Sequence, residues 1–132
     1  GFSAARTLSV MQSLYEKKLL TYPRTDSSYL TDDMAEILPG RVEMLRAFEE
    51  KAVNLLLSNG LNIDGRIINN AKVSDHHAII PTENIRNAVN MELTSDEKQI
   101  LHLVIRRLLE ALSAQYEYMD IEYVFDICGE TF

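Results

Sequence analysis

Apolar positions along this chain follow two different periods. From Ser3 to Leu20, Leu8, Met11, Tyr15 and Leu19 recur at the spacing of one helical stripe, with Leu14 beside it. Ser3 is placed to cap the start, and Lys17 and Lys18 sit where cations complement the end of a helix dipole. Pro23 then acts as a stop, because a proline disfavours helical geometry in the residue before it. The stretch Thr21-Tyr22-Pro23-Arg24 is therefore expected to be extended. Thr31 to Leu38 reads as a short helix, capped by Thr31, with Asp32 and Asp33 in its first turn and Pro39-Gly40 ending it. Val42 to Leu57 reads as a longer helix, with Leu45, Phe48, Ala52, Leu55 and Leu56 on its apolar face and Asn59-Gly60 as its stop.

Residues 60–93 are rich in turn formers, with short β-prone pieces at Arg66-Ile67-Ile68 and Ala78-Ile79-Ile80 before Pro81. Thr94-Ser95-Asp96-Glu97 has the form of a capping box. It opens a helix running to about Leu112 along Ile100 or Leu101, Val104, Leu108 and Leu112. The period then changes from about 3.6 to 2. Ile121, Tyr123, Phe125 and Ile127 alternate with Glu122, Val124, Asp126 and Cys128, as a strand with one buried face does. The fold class that follows is mainly α with minor β, in one compact domain or one domain plus a fragment.

Composition narrows the function classes. With 132 residues, 46% of them hydrophobic, the chain has enough apolar material for a core without disulfides or metal clips. Its 13 basic and 20 acidic side chains leave a net charge of -7, which argues against a generic nucleic-acid coat. The single cysteine, Cys128, excludes a disulfide scaffold and any multi-cysteine metal site. No apolar run approaches the roughly 18 residues of a membrane span. Residues 1–30 are locally basic, with Arg6, Lys17, Lys18 and Arg24 against Glu16 and Asp26. From Leu108 onward acids dominate. A surface for phosphate is thus expected near the end of the first helix.

Two stretches carry candidate chemistry. In Leu20-Thr21-Tyr22-Pro23-Arg24-Thr25-Asp26-Ser27, an extended backbone places Tyr22 and Arg24 on the same face, stiffened by Pro23 between them. A phenol has an ordinary pKa of about 10 and must lose its proton to attack a phosphodiester. A neighbouring guanidinium favours the phenolate and can bind a phosphate oxygen. On spacing alone, a packed Tyr-Pro turn and a solvated arginine remain the more ordinary explanation. In Ser74-Asp75-His76-His77-Ala78, adjacent histidines on an extended segment point to opposite faces, so a shared metal is disfavoured. One of them could instead donate to a phosphate oxygen; a pair of hydrogen-bonded loop histidines explains them equally well. Neither a glycine-rich phosphate loop nor a Ser or Cys nucleophile pattern occurs, and Cys128 is most simply a strand residue.

Taken together, these stretches resemble the type IA DNA topoisomerases. Residues 15–27, Tyr-Glu-Lys-Lys-Leu-Leu-Thr-Tyr-Pro-Arg-Thr-Asp-Ser, are similar to that family's active-site tyrosine signature, and Ala4 to Tyr15 to the helix preceding it. Ser74 to Thr82 is similar to the family's histidine segment, and Pro23 points to the topoisomerase III branch. Two independent motifs in the right order outweigh the ordinary explanations. The resemblance implies that Tyr22 is the nucleophile, forming a 5′-phosphotyrosine link with one DNA strand. It implies that Arg24 stabilises the phosphate and that His76 contacts the same phosphate or its nucleotide. Thr25 and Asp26 would have positioning roles, and Gln12 would face the DNA.

The same resemblance implies a gate domain at 1–112 and the start of a β-rich arch domain at 113–132. Magnesium would be held by an upstream Toprim domain that has no counterpart here, and the fragment itself would hold no cofactor. The expected partners are single-stranded DNA and that Toprim domain, in the bacterial cytoplasm and nucleoid, with no membrane and no need for ATP. The chain, beginning with Gly1, is read as a piece of a longer intracellular protein that is inactive alone. Its terminal strand is expected to fold back or pair with another copy. A non-catalytic helical interaction domain and a winged-helix DNA-binding module are the alternatives.

Overall fold

The computed structural model describes residues 3–113. The terminal strand at 121–128, its pairing and the arch-domain boundary lie outside the described residues. Within them the fold is mainly α. Four α-helices, α1 (Ala4–Glu16), α2 (Leu38–Met44), α3 (Glu50–Asn59) and α4 (Ser95–Ala111), are joined by extended segments and 3-10 turns. No helix among them is long and apolar enough to cross a membrane.

The first helix starts as expected, with the Ser3 side chain accepting the Arg6 N–H at 3.1 Å, but it ends at Glu16, four residues before Leu20. The stop is a Schellman reversal built without glycine. Lys18 adopts a left-handed φ of 67°, its N–H donates to the Tyr15 carbonyl at 2.8 Å, and the Leu19 N–H donates to the Leu14 carbonyl at 3.0 Å. Leu14 and Leu19, the apolar pair that accompanies this motif, are both fully buried. Their burial outweighs the steric cost of a Cβ in the left-handed region. The predicted stripe is also rotated. Leu14 lies in the core and Met11 packs partly against it, whereas Tyr15 remains 38% exposed.

Two further expectations are corrected. Pro39-Gly40 does not end a helix; it lies in the first turn of α2, where proline's missing N–H is no loss. The preceding Asp32–Ile37 stretch is 3-10, and Thr31 makes no side-chain cap bond to it. The single helix expected over Val42–Leu57 is broken. The Leu45 carbonyl accepts from both Phe48 and Glu49, and Glu49 leaves helical geometry at φ -141° and ψ 66°. Its carboxylate is buried, with Oε1 4.0 Å from His102 Nδ1 on α4. Gly60, at φ 88°, ends α3 as its sequence suggests.

The last helix matches its sequence closely. Thr94 accepts from the Glu97 N–H at 3.1 Å while Glu97 Oε1 accepts from the Thr94 N–H at 2.9 Å. Ile100, Leu101, Val104, Leu108 and Leu112 are all buried. They join Leu14, Leu19, Leu20, Val42, Leu45 and Leu56 in one core.

Glu97 also ties α4 to α1. Its second oxygen accepts from the Ser13 hydroxyl and the Lys17 ammonium, each at 2.7 Å, and Arg6 pairs with Asp96 one residue earlier. Burial alone would push the Glu97 carboxyl up; the hydrogen bonds from Lys17, Thr94 and Ser13, with the Lys17 charge, outweigh it and hold the group at about 2. A depressed carboxylate stabilises the folded state fully above its ordinary value of 4.5 and loses that contribution as pH falls toward 2. With solvent screening at the partly exposed Lys17 side, we predict a loss of about 1–2 kcal/mol across this window from Glu97 alone. Urea melts at pH 6, 4 and 2.5 should show it, and Glu97→Gln should be less stable at pH 6 and flatter below. Lys18→Gly should raise stability by about 0.5–1 kcal/mol in the same melts, because it relieves the left-handed φ.

Candidate active site

Two extended segments form the site's floor. Leu20 bridges Pro81 in antiparallel sense, and Leu30 bridges Ile68 in parallel sense; these are single bridges rather than strands. The Thr21 N–H donates to the Ile80 carbonyl at 3.0 Å, the Thr82 N–H to the Leu19 carbonyl at 2.9 Å, and the Ala78 N–H to the Tyr29 carbonyl at 2.8 Å. Side chains complete the seam. Thr21 Oγ1 accepts the Ile80 N–H at 2.9 Å, and Arg41 on α2 donates to the Pro81 carbonyl at 2.7 Å. The Thr25 hydroxyl donates to the His76 carbonyl at 2.9 Å and accepts the Ser27 N–H at 3.1 Å. The Ser27 hydroxyl donates to the Lys72 carbonyl at 2.9 Å.

This seam presents the candidate residues. Pro23 is buried, so the residues on either side of it are turned outward: Tyr22 is half-buried and Arg24 exposed. The Tyr22 ring lies 4.3 Å from the His76 ring, centroid to centroid, tilted by 35°. Its other neighbour is Tyr15, at 5.3 Å and nearly perpendicular, 82°. Arg24, Thr25, Asp26 and His76 line one cleft of about 530 Å³ with Leu8, Pro23, Ser74 and Asp75. Gln12 lies on a second cleft of the same volume along α1, with Ala5, Ser9, Ser13 and Glu16; its amide donates to Glu16 at 3.4 Å. Leu8 and Arg24 belong to both clefts, which therefore adjoin at these two residues.

Of the six residues singled out by sequence, Gln12, Arg24, Thr25, Asp26 and His76 line the two clefts; Tyr22 lines neither and joins them through its ring contact with His76. Among the described residues Arg24 makes no ion pair, while Arg6, Lys17, Arg46, Arg66 and Arg106 each meet a carboxylate. The guanidinium is thus available to an external anion. Asp26 and Asp75 share the cleft with Arg24 and His76. His77 is separate from this chemistry: its Nδ1 lies 2.7 Å from the Ala78 carbonyl and, facing an acceptor, is the donor. Tyr15 and Leu8 escaped notice as site residues because their helical spacing reads as core. Thr21 and Ser27 escaped because their partners lie 59 and 45 residues away.

Thr21→Val keeps the shape but removes the acceptor for the half-buried Ile80 N–H. We predict a cost of about 1–3 kcal/mol in urea melts. Amide hydrogen exchange at Ile80 should speed up more than exchange within α4.

The family model of DNA topoisomerases matches residues 1–132. DNA topoisomerase 3 of Bacillus subtilis is 42% identical over 134 residues, an alignment covering 100% of this chain and 18% of that protein. DNA topoisomerase 3 of Staphylococcus aureus strain MRSA252 is 42% identical over 129 residues, covering 96% of this chain and 18% of its own length. The chain spans about a fifth of the length of these curated relatives.

Proposed function

Because the chain belongs to the DNA topoisomerase family, we propose that it is the tyrosine-bearing part of a type IA enzyme that cuts and reseals one DNA strand. The observation that carries this reading is the half-buried Tyr22 ring lying against His76, with Arg24, which makes no ion pair among the described residues, in the cleft that His76 lines. A helical interaction domain would instead bury the phenol in its core and turn Arg24 elsewhere. A winged-helix duplex binder would carry a basic face, and this chain has a net charge of -7.

In the proposed reaction the Tyr22 oxygen bonds to phosphorus as the P–O3′ bond of one strand breaks. The phenol proton ends on the departing 3′ oxygen, and the 5′ end stays on the protein as a phosphotyrosine. One phosphodiester replaces another, so religation is the same step reversed and needs no nucleotide hydrolysis. Arg24 offers paired N–H donors to the non-bridging oxygens as charge grows there. His76 supports the phenol ring and can donate to the same phosphate. Thr25 fixes the His76 backbone through its hydroxyl, and Asp26 borders the cleft. Gln12 faces the nucleotides next along the strand, in the second cleft.

Among the described residues no group of three or more His, Cys, Asp or Glu side chains is disposed to hold a metal ion. On this reading magnesium is assigned to the Toprim carboxylates of the intact enzyme. That enzyme would work on single-stranded DNA in a bacterial cytoplasm. The chain alone is proposed to cleave negligibly, because phosphate contacts dominate affinity and its net charge is -7.

The test joins this chain to the upstream domains of its own longer protein, supplies magnesium and follows labelled single-stranded DNA into a covalent protein complex. Tyr22→Phe should abolish the complex, and Arg24→Ala should reduce it by about 100-fold or more, as loss of a transition-state donor does. Undiminished covalent complex from Tyr22→Phe would overturn the assignment.

A further inference from the structure

Tyr15 is a large aromatic residue that does not serve the core. It sits in the last turn of α1 and remains 38% exposed. The left-handed turn at Lys18 reverses the chain, so that a residue seven positions later comes back beside it. The result is the edge-to-face contact with Tyr22 at 5.3 Å and 82°, while His76 covers another side of the same ring at 4.3 Å. Ring pairs of this kind prefer such offset or perpendicular geometry, at separations near those seen here.

The seam holds Thr21 on one side of Tyr22 and Thr25 on the other, but a half-exposed phenol between them still has several staggered side-chain wells to visit. Only one of them aims the hydroxyl at a given phosphate, and time spent elsewhere lowers the rate directly. We propose that Tyr15 is a positioning residue for the Tyr22 phenol: together with His76 it clamps the ring and sets the direction of its hydroxyl. The inference rests on Tyr22 being the nucleophile. Tyr15 acts through its ring edge, so its own hydroxyl is dispensable. It touches the nucleophile rather than the reacting phosphate, which separates its role from that of Arg24.

The test has two arms. In the 132-residue chain with labelled tyrosine and histidine rings, NMR reports the ring-current shifts of Tyr22 and His76. Tyr15→Leu should move both sets of signals and populate more than one Tyr22 side-chain rotamer, with α4 amides unaltered; Tyr15→Phe should restore the parent pattern. In the longer enzyme proposed above, Tyr15→Leu should slow covalent-complex formation at saturating single-stranded DNA about 3- to 10-fold. The DNA concentration for half-saturation should stay the same, and Tyr15→Phe should recover the rate. Parent-like ring signals and rate in Tyr15→Leu would overturn the proposal. So would a variant that only weakens DNA binding, because Tyr15 would then be a strand contact. If Tyr22→Phe still cleaves, the nucleophile assignment fails, while the NMR arm still reports whether the clamp exists.

Discussion

The site depends on one seam of hydrogen bonds between residues 19–30 and residues 67–82. These segments are far apart in sequence and belong to no regular sheet among the described residues, yet backbone groups of Leu19, Thr21, Tyr29 and Leu30 find partners in the second segment. The apolar side chains beneath it, Leu19, Leu20, Leu30, Ile67 and Ile80, are buried. Buried backbone polar groups must be paired, and that requirement turns a loop into a rigid floor. On this floor Tyr22 meets His76, and Thr25 grips the His76 carbonyl at 2.9 Å. Without the seam, neither motif would be more than a mobile turn.

The helices frame that floor and link it to the rest of the molecule. Glu97 closes the N-terminus of α4 and simultaneously receives Ser13 and Lys17 from α1, so one carboxylate fixes both helices. The end of α1 in turn sets Tyr15 and the entry of the tyrosine segment. Packing, electrostatics and candidate chemistry are therefore continuous: the same helix docks through one face and meets the Tyr22 ring with another. Proteins often build precise sites on rigid elements while leaving the working groups exposed, and Arg24 and His76 follow that division.

Much of this was legible beforehand, for identifiable reasons. The α4 helix carries its own capping box and a strict apolar period, and it formed as read. The tyrosine and histidine motifs contain dense, unusual residue types, and the structure brings Tyr22 against His76. What escaped were features decided at a distance. The Schellman turn uses Lys18 where a glycine would have announced it, and Pro39 opens a helix because the following residues close on the core. Glu49 leaves helical geometry within a run whose neighbours support a helix, and its side chain lies beside His102, more than 50 residues away in sequence. Tyr15 has the spacing of a core residue, and only the reversal after it turns its ring toward Tyr22.

The most direct test of the account is to locate the covalent link itself. The complex formed by the longer enzyme is trapped, its DNA trimmed by nuclease, and the adduct mapped by tandem mass spectrometry. The account predicts a nucleotide mass on the Tyr22 phenol. The same mass on Tyr15, Tyr29 or any other residue would contradict it.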